Sequence, residues 1–460
     1  MRNNNLELTL SFALCIFLLS YVLPVGATSE DRARPSIVPE PISFPVSCGN
    51  NISTSFAMMN DLNACPNDGL RIVANNVHID CKGHKISGTG TGSGIVAVGK
   101  QNVVVKNCVI KSFRTGINFF TTNSSRIDNS TLSGNSFSGI YVRDSDSNLF
   151  KSVIVTGQTE GIGIYLRNSS NNSIRNVIAS ENGIAMWLYR NSNLNIIEDT
   201  ISSSNYNGIR VDDGSALNII QNVRSFDNYK FDFGFFTSNN NKLLNIYAFG
   251  HGENTVYLFR SDSNNISNVT FLGNDYAVNA INSRFNSISS SIIRKNTFGL
   301  VFDGSSNNNL IFNNIIDNII NVVDESNANH WNTTKSFGTY IFGGSYTGVN
   351  YWGNYLGVDI DNDGFGDSFL PFDSNGSISY GGDYLPIAKL CGDLNDDGIL
   401  DNSDLELLIG IAFRGESLPN PSLIADINGD GVISDIVDVE MLTNYVLRGG
   451  PRPTCSVVPV

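Results

Sequence analysis

"GIYVRDSDSNLFKSVIVTGQTEGIGIYLRNSSNNSIRNVIAS", residues 139–180, runs through one pattern twice. Gly139-Ile140-Tyr141-Val142-Arg143 returns as Gly163-Ile164-Tyr165-Leu166-Arg167. Each copy then passes through Ser and Asn to an asparagine two residues ahead of a large apolar side chain, Asn148 before Phe150 and Asn172 before Ile174. Alternation with period two marks a half-buried strand, and Asn/Ser clusters mark turns. Followed outward, the asparagine position recurs at Asn102, Ser125, Asn148, Asn172, Asn195, Asn218, Asn241, Asn264, Asn286 and Asn309, in steps of 22 to 24 residues. Strands open at Gly94-Ile95, Gly116-Ile117, Gly139-Ile140, Gly163-Ile164, Gly183-Ile184, Gly208-Ile209 and Gly299-Leu300. So regular a step means units stacked on copies of themselves. Leucine-rich repeats share the period, but leucines and helix formers are too few here, and β-branched residues alternate with polar ones. The expected fold is therefore mainly β: a right-handed parallel β-helix of about ten coils of ~23 residues, each strand about 4.8 Å from its copy. Ile117, Ile140, Ile164, Ile184 and Ile209 should form one internal stack, and the asparagines a ladder of bonded amides.

Around this body, residues 46–335, the remaining segments divide by composition. An apolar run from Leu8 to Val25 behind Arg2, with small residues at Val25 to Ala27, reads as a secretory signal over residues 1–27. A linker over 28–45 follows it. If retained, the signal would be a membrane anchor, the one membrane contact expected. Its removal takes Cys15 and leaves Cys48, Cys65, Cys81, Cys108, Cys391 and Cys455, an even number suited to an oxidising compartment. Cys391 with Cys455 brackets the last segment and is the expected pair there. Cys48 and Cys65 fall in the N-terminal cap, and sequons such as Asn51, Asn123, Asn129, Asn168, Asn265 and Asn332 agree with export. The net charge of −14 is lodged entirely after residue 335, where eighteen acidic residues face four Lys or Arg. A neutral body with an acidic tail excludes nucleic acid as partner, since phosphates demand clustered cations. It directs attention to metal in the tail.

With alternate residues outward, the strands present two external columns. One holds Asn118, Tyr141, Tyr165, Arg210 and Tyr257; the other holds Phe120, Arg143, Arg167, Trp187, Asp212, Phe236 and Phe259. Rings beside Arg and Asp suit sugars, whose CH faces stack while their hydroxyls take charged hydrogen bonds. Tyr141, Tyr165, Trp187, Phe236, Tyr257 and Phe259 are the glycan-binding candidates. Were the face catalytic, Arg143, Arg167, Arg210 and Asp212 would carry the chemistry, and Asp212 with Asp213 is its one carboxylate pair.

The tail contains "DLNDDGILDNSD", residues 393–404, which places Asp393, Asn395, Asp397, the Ile399 carbonyl, Asp401 and Asp404 at the oxygen-ligand positions of an EF-hand-type loop. A second copy offers Asp426, Asn428, Asp430 and the Val432 carbonyl, but its twelfth position is Val437 and the carboxylate arrives one residue late at Asp438. One inserted residue explains the offset and makes this site the weaker. A third acidic run, Asp359, Asp361, Asp363 and Asp367, has the same opening without a following helix. Ca2+ is the expected cofactor.

Paired D-x-N-x-D-G loops, each followed by an apolar helix, resemble the type I dockerin module. That resemblance implies a small α-helical calcium-binding domain over 389–455 and a cohesin-type protein partner. Positions 10 and 11, which help choose the cohesin, would be Asn402 and Ser403 in one copy and Asp435 and Ile436 in the other. "CPNDGLRIVANNVHIDCKGHKISG", residues 65–88, with "NHWNTTKSFGTYIFGGSYTGVNYWGNYLGVDIDNDGFGD", residues 329–367, resembles the NosD-type β-helix proteins, which implies the pectate-lyase-like fold, with residues 336–388 as a C-terminal cap. The copper label carried by that family finds only His78, His84, His251 and His330, with no pair on one strand face. The expectation is an exported, secreted or cell-surface protein that binds polysaccharide and docks to a cohesin. A polysaccharide lyase or glycoside hydrolase, and a structural adhesion protein, are the alternatives.

Overall fold

The computed structural model describes residues 42–250, 252–338, 346–357, 359, 364–388, 390–395, 399–419, 422–428, 432–451 and 453. The expected signal, residues 1–27, and Cys455 lie outside them. The body is a right-handed parallel β-helix. One face is a sheet of thirteen parallel strands, one per coil, and the other two merge into a second sheet of twenty. The stack is longer than the asparagine pattern, because strands at Asn50–Ile52 and Leu70–Ile72 pair onto it as full coils. At the other end Tyr351–Trp352, inside the expected cap, pairs with the strand Ile315–Asp317.

Register explains the interior. Ile117, Ile140 and Ile164 are mutual partners, as expected, but Ile164 pairs with Met186 and Met186 with Ile209. Ile184 pairs instead with Ile162 and stands half-buried outside the stack. The sequence contains a decoy: Ala185 occupies the position that Gly163 and Gly208 hold in neighbouring coils. The residue there faces inward, and a Cβ on Gly116 would lie 2.6 Å from Leu132 and 2.5 Å from the Gly139 carbonyl. Glycine or alanine fills this position from Gly94 to Gly208, and Asp232 and Thr255 take it in the next two coils.

The asparagines form the expected ladder. From Asn148 to Asn309 each backbone N–H donates to the next side-chain Oδ1 at 2.8–3.0 Å, and each Nδ2 to the same oxygen at 3.0–3.2 Å. Asn182, Asn205 and Asn228 form a second ladder, and Asn314 and Asn350 a third. Each ends on a buried acid: Asn329 Nδ2 on Asp324, Asn228 Nδ2 on Asp232 and Asn350 Nδ2 on Asp383. In these three ladders each amide sends one N–H to the next rung toward the C-terminal coils, and the acid accepts from the last rung. A further ladder through Asn274, Asn296 and Asn318 ends instead on Asn321, Asn354 and the Ser374 hydroxyl.

Burial pushes Asp232 and Asp383 up to about 7. A carboxyl raised in the folded state adds stability below its unfolded pKa, near 3.8, and loses it as pH rises through about 7. The thermal midpoint should therefore fall as pH rises from about 4 to about 7 and level off above that. Asp232→Asn keeps the oxygen that accepts from Ser225 and Asn228. It should flatten that slope by about one proton, which calorimetric melting across the range would read.

Disulfides join Cys48 to Cys65 and Cys81 to Cys108, pairings that the sequence left open. Beyond the solenoid, helices Asn402–Arg414 and Ile436–Arg448 share a small core of Leu405, Leu408, Ala425, Ile427 and Leu442. No helix among the described residues is long and apolar enough to cross a membrane.

Candidate functional site

The thirteen-stranded sheet carries the aromatic face. Strand pairing aligns Asn118, Tyr141, Tyr165, Trp187 and Arg210 in one column, with Gly234 and then Tyr257 beyond. The second column runs Phe120, Arg143, Arg167, Tyr189, and later Asp212, Phe236 and Phe259. Trp187 was expected in the second column; it stands in the first, and Tyr189 takes its place, because Ala185 rather than Gly183 sets the register of that coil.

The rings are mutually stacked. Tyr141 and Tyr165 lie 5.1 Å apart at 28°, Tyr165 and Trp187 5.0 Å apart at 11°, and Trp187 and Tyr189 5.0 Å apart at 41°. Tyr165, between them and under Phe137, is only 6% exposed, so it supports the platform and offers no face to a ligand. Its burial pushes the hydroxyl up to about 12. Tyr141, Trp187, Phe236, Tyr257 and Phe259 remain half-exposed.

Arg210 is the centre of the face. Its guanidinium lies 5.1 Å from the Trp187 ring and 4.4 Å from the Phe236 ring. Its Nε donates to Asp212 Oδ2 at 2.7 Å, and Trp187 Nε1 donates to the same oxygen at 3.2 Å. Burial raises the Asp212 carboxyl, against the lowering pull of Arg210. Asp213 turns away through a left-handed φ of 52° and faces Arg190 at 3.6 Å. The expected carboxylate pair is thus split between two arginines. Arg143 lies over Phe120 and pairs with Asp144 at 3.1 Å, while Arg167 donates to the Tyr141 hydroxyl. Gly234 interrupts the column because Phe231 and Phe236 fold over it, each within 2.8 Å of where a Cβ would stand. Tyr189, Arg190 and Phe231 were missed from the sequence; only correct alignment of the Ala185 coil would have found the first.

The acidic loops precede the two helices. Asp404 is wholly buried at the third position of the first helix; its Oδ1 accepts from Leu394 N at 2.8 Å and Asn395 N at 3.2 Å, and its Oδ2 from Asp401 N at 2.9 Å. Asp438 repeats this at the second helix, accepting from Asn428 N at 3.1 Å and Asp435 N at 2.9 Å. Asp401 and Asp435 are the matching N-caps. Asp438 is therefore the counterpart of Asp404, as an inserted residue requires. The counterparts of Asn402 and Ser403 become Ile436 and Val437 rather than Asp435 and Ile436, and Ile436 is 68% exposed. Asp393 and Asp426 are also buried, and Ile399 and Val432 lie at the exposed loop surface. Asp397 and Asp430 fall outside the described residues, among which no three acidic, His or Cys side chains cluster into a finished metal site. Residues 393–404 and 426–438 contain no Lys or Arg, so the donor set is one of oxygens and fits a hard cation. In the third run Asp359 accepts from Gly364 N at 2.8 Å and Asp367 is exposed, with Asp361 and Asp363 outside the described residues. His84 is hydrogen-bonded to Asp61 at 2.9 Å.

Comparison with known families follows the same division. The family described as periplasmic copper-binding protein (NosD) matches residues 163–357, the right handed beta helix region matches 68–224, and the dockerin type I domain matches 391–447. No curated protein matches the chain. Among solved structures, the A-module of the mannuronan C-5 epimerase AlgE4 of Azotobacter vinelandii is 13% identical over 60% of this chain and 85% of its own, with a TM-score of 0.44. DFA-IIIase from Arthrobacter chlorophenolicus A6 is 11% identical over 61% and 75%, TM-score 0.43, and pectate lyase Pel9A 12% over 45% and 67%, TM-score 0.31. The chain is a right-handed parallel β-helix protein that is similar to the NosD family over residues 163–357 and to the dockerin type I domain over residues 391–447.

Proposed function

We propose that this is an exported protein whose solenoid face binds polysaccharide and whose terminal module, folded around calcium, attaches it to a cohesin-type partner. The observation that carries the glycan reading is the Trp187–Arg210–Phe236 sandwich. A guanidinium held between two rings and anchored by Asp212 is a rigid, amphipathic surface: the half-exposed rings take sugar CH groups, and Arg210 and Arg167 take hydroxyls or acids. Calcium would be held by Asp393, Asn395, Asp397, the Ile399 carbonyl and Asp404, with Asp401 at the ninth position, and by the corresponding groups of the second loop. Bound there, the ion neutralises carboxylates that otherwise repel one another at each helix start. A Cys391–Cys455 disulfide would close the module.

On a glycan array, Trp187→Ala should weaken binding at least about tenfold, and Phe285→Ala, an exposed ring elsewhere, should not. Equal binding by all three proteins would exclude this face. A second reading, a lyase or hydrolase, is favoured by the burial-raised Asp212 beside Arg210. Release of unsaturated or reducing ends from polyuronates, lost in Asp212→Asn, would establish it.

A further inference from the structure

We infer that the solenoid holds polysaccharide at a second place, the corner occupied by Tyr206 and Tyr229, where a sugar ring stacks on an open tyrosine face. This rests on the glycan reading above and adds a contact outside the two columns of the binding face. Tyr206 precedes the strand Asn207–Asp212, and Tyr229 precedes Phe231–Phe236. Their rings stack 5.3 Å apart at 28° and are 55% and 69% exposed. Rings so exposed contribute little burial to the core. Three residues before Tyr229 the corner continues: Phe226 and Phe249, at the ends of their strands, stack 5.2 Å apart at 14° and are half-exposed.

The coils on either side leave the tyrosine stack open. Asn207 pairs with Ile184, and its N–H donates to the carbonyl one residue earlier, that of Gly183. The same offset sets Tyr206, which donates to Asn182, opposite Gly183, and Tyr229, which donates to Asn205, opposite Tyr206. Glu253 donates to Tyr229 and so stands opposite Lys230, which leaves Gly252 opposite Tyr229. Glycine therefore stands before the first ring and after the second. Neither position has room for a side chain: a Cβ would lie 2.8 Å from the Gly161 carbonyl oxygen at Gly183 and 2.5 Å from that of Asn228 at Gly252. The outer face of each ring thus meets no side chain at the matching position of the adjoining coil, about 4.8 Å away. Beside the stack Lys230 and Glu253 form an exposed ion pair, with the ammonium in electrostatic reach of both tyrosines. Sugar CH groups would lie on a ring face, and hydroxyls would bond the ammonium and the carboxylate. Two contacts on one rigid body make the binding of a long chain bivalent.

Titration calorimetry of the full chain with tetragalacturonate, xylotetraose and cellotetraose, beside an array carrying the parent polymers, tests this. The wild type should take two molecules of one of these tetrasaccharides per chain. Tyr206→Ala/Tyr229→Ala should take one, and should bind the parent polymer at least about tenfold more weakly, because the second contact is gone. Tyr206→Phe/Tyr229→Phe keeps the stacked rings and should match the wild type in both measurements. Trp187→Ala should also take one, the molecule held at the corner. An unchanged count and polymer affinity in the alanine variant, or an equal loss in the alanine and phenylalanine variants, would overturn the inference. One tetrasaccharide per wild-type chain, kept in Tyr206→Ala/Tyr229→Ala and lost in Trp187→Ala, would overturn it while leaving the face reading standing. The reverse pattern would keep the corner and refute the face, and no binding to any of the three would refute both.

Discussion

Asp404→Ala is expected to unfold the terminal module and abolish both calcium binding at the first loop and attachment to a cohesin. The carboxylate is wholly buried and accepts three backbone N–H groups, from Leu394, Asn395 and Asp401. Alanine leaves all three without an acceptor, at about 1–3 kcal/mol each. A two-helix module with five core residues has little stability in reserve. Limited proteolysis of the full chain should cut after residue 390 in the variant at calcium concentrations that protect the wild type, with the solenoid resistant in both. Equal protection would show that the carboxylate is dispensable. Asp401→Ala removes an N-cap whose side chain accepts from the backbone N–H groups of Ser403 and Asp404, and should cost about 1 kcal/mol.

Asn218→Ala should be the most damaging single change in the solenoid. Asn218 Oδ1 accepts from the backbone N–H of Asn195 at 2.8 Å and from its Nδ2 at 3.1 Å, inside the stack where water does not reach. Truncation strands both donors and deprives Asn241 of a side-chain partner, for a loss of about 3 kcal/mol or more. Asn222 belongs to an exposed ladder, donating to Asp199 and accepting from Asn245. Its substitution by alanine should cost only about 1 kcal/mol, chiefly from its left-handed φ of 54°. Chemical denaturation of the two variants measures the difference. If they lose equal stability, the internal ladder is no more than a surface ornament.

The two variants also show how far a linear reading reaches. Both residues are asparagines with polar neighbours, and sequence alone separates them only because Asn218 falls on the regular step. Asn182, Asn205 and Asn228 form an equally buried ladder that went unnoticed, since a glutamine, Gln158, precedes them and an acid, Asp232, ends them. The acids that end the ladders were invisible for a different reason. A lone Asp in a strand looks like any surface Asp until the direction of the hydrogen bonds is known.

On the binding face, composition identified the rings and arginines, and register rearranged them. Gly183 sits two residues too early to be the inward small residue, so Trp187 moved beside Arg210 and Tyr189 replaced it. Tyr165, a ligand candidate by position, is covered by Tyr141 and Trp187. In the tail, the late carboxylate pointed to an insertion, but only the paired capping boxes showed which acids correspond.

What the sequence by itself determined is everything that repeats: the coil length, the strand alternation, the amide ladder and the paired oxygen-ligand loops, because stacking places each copy in the same environment as the last. What only the tertiary structure decided is everything that departs from the repeat: which small residue turns inward, which ring is covered and where each ladder stops. Those depend on neighbours a full coil away, whose contacts no local spacing encodes.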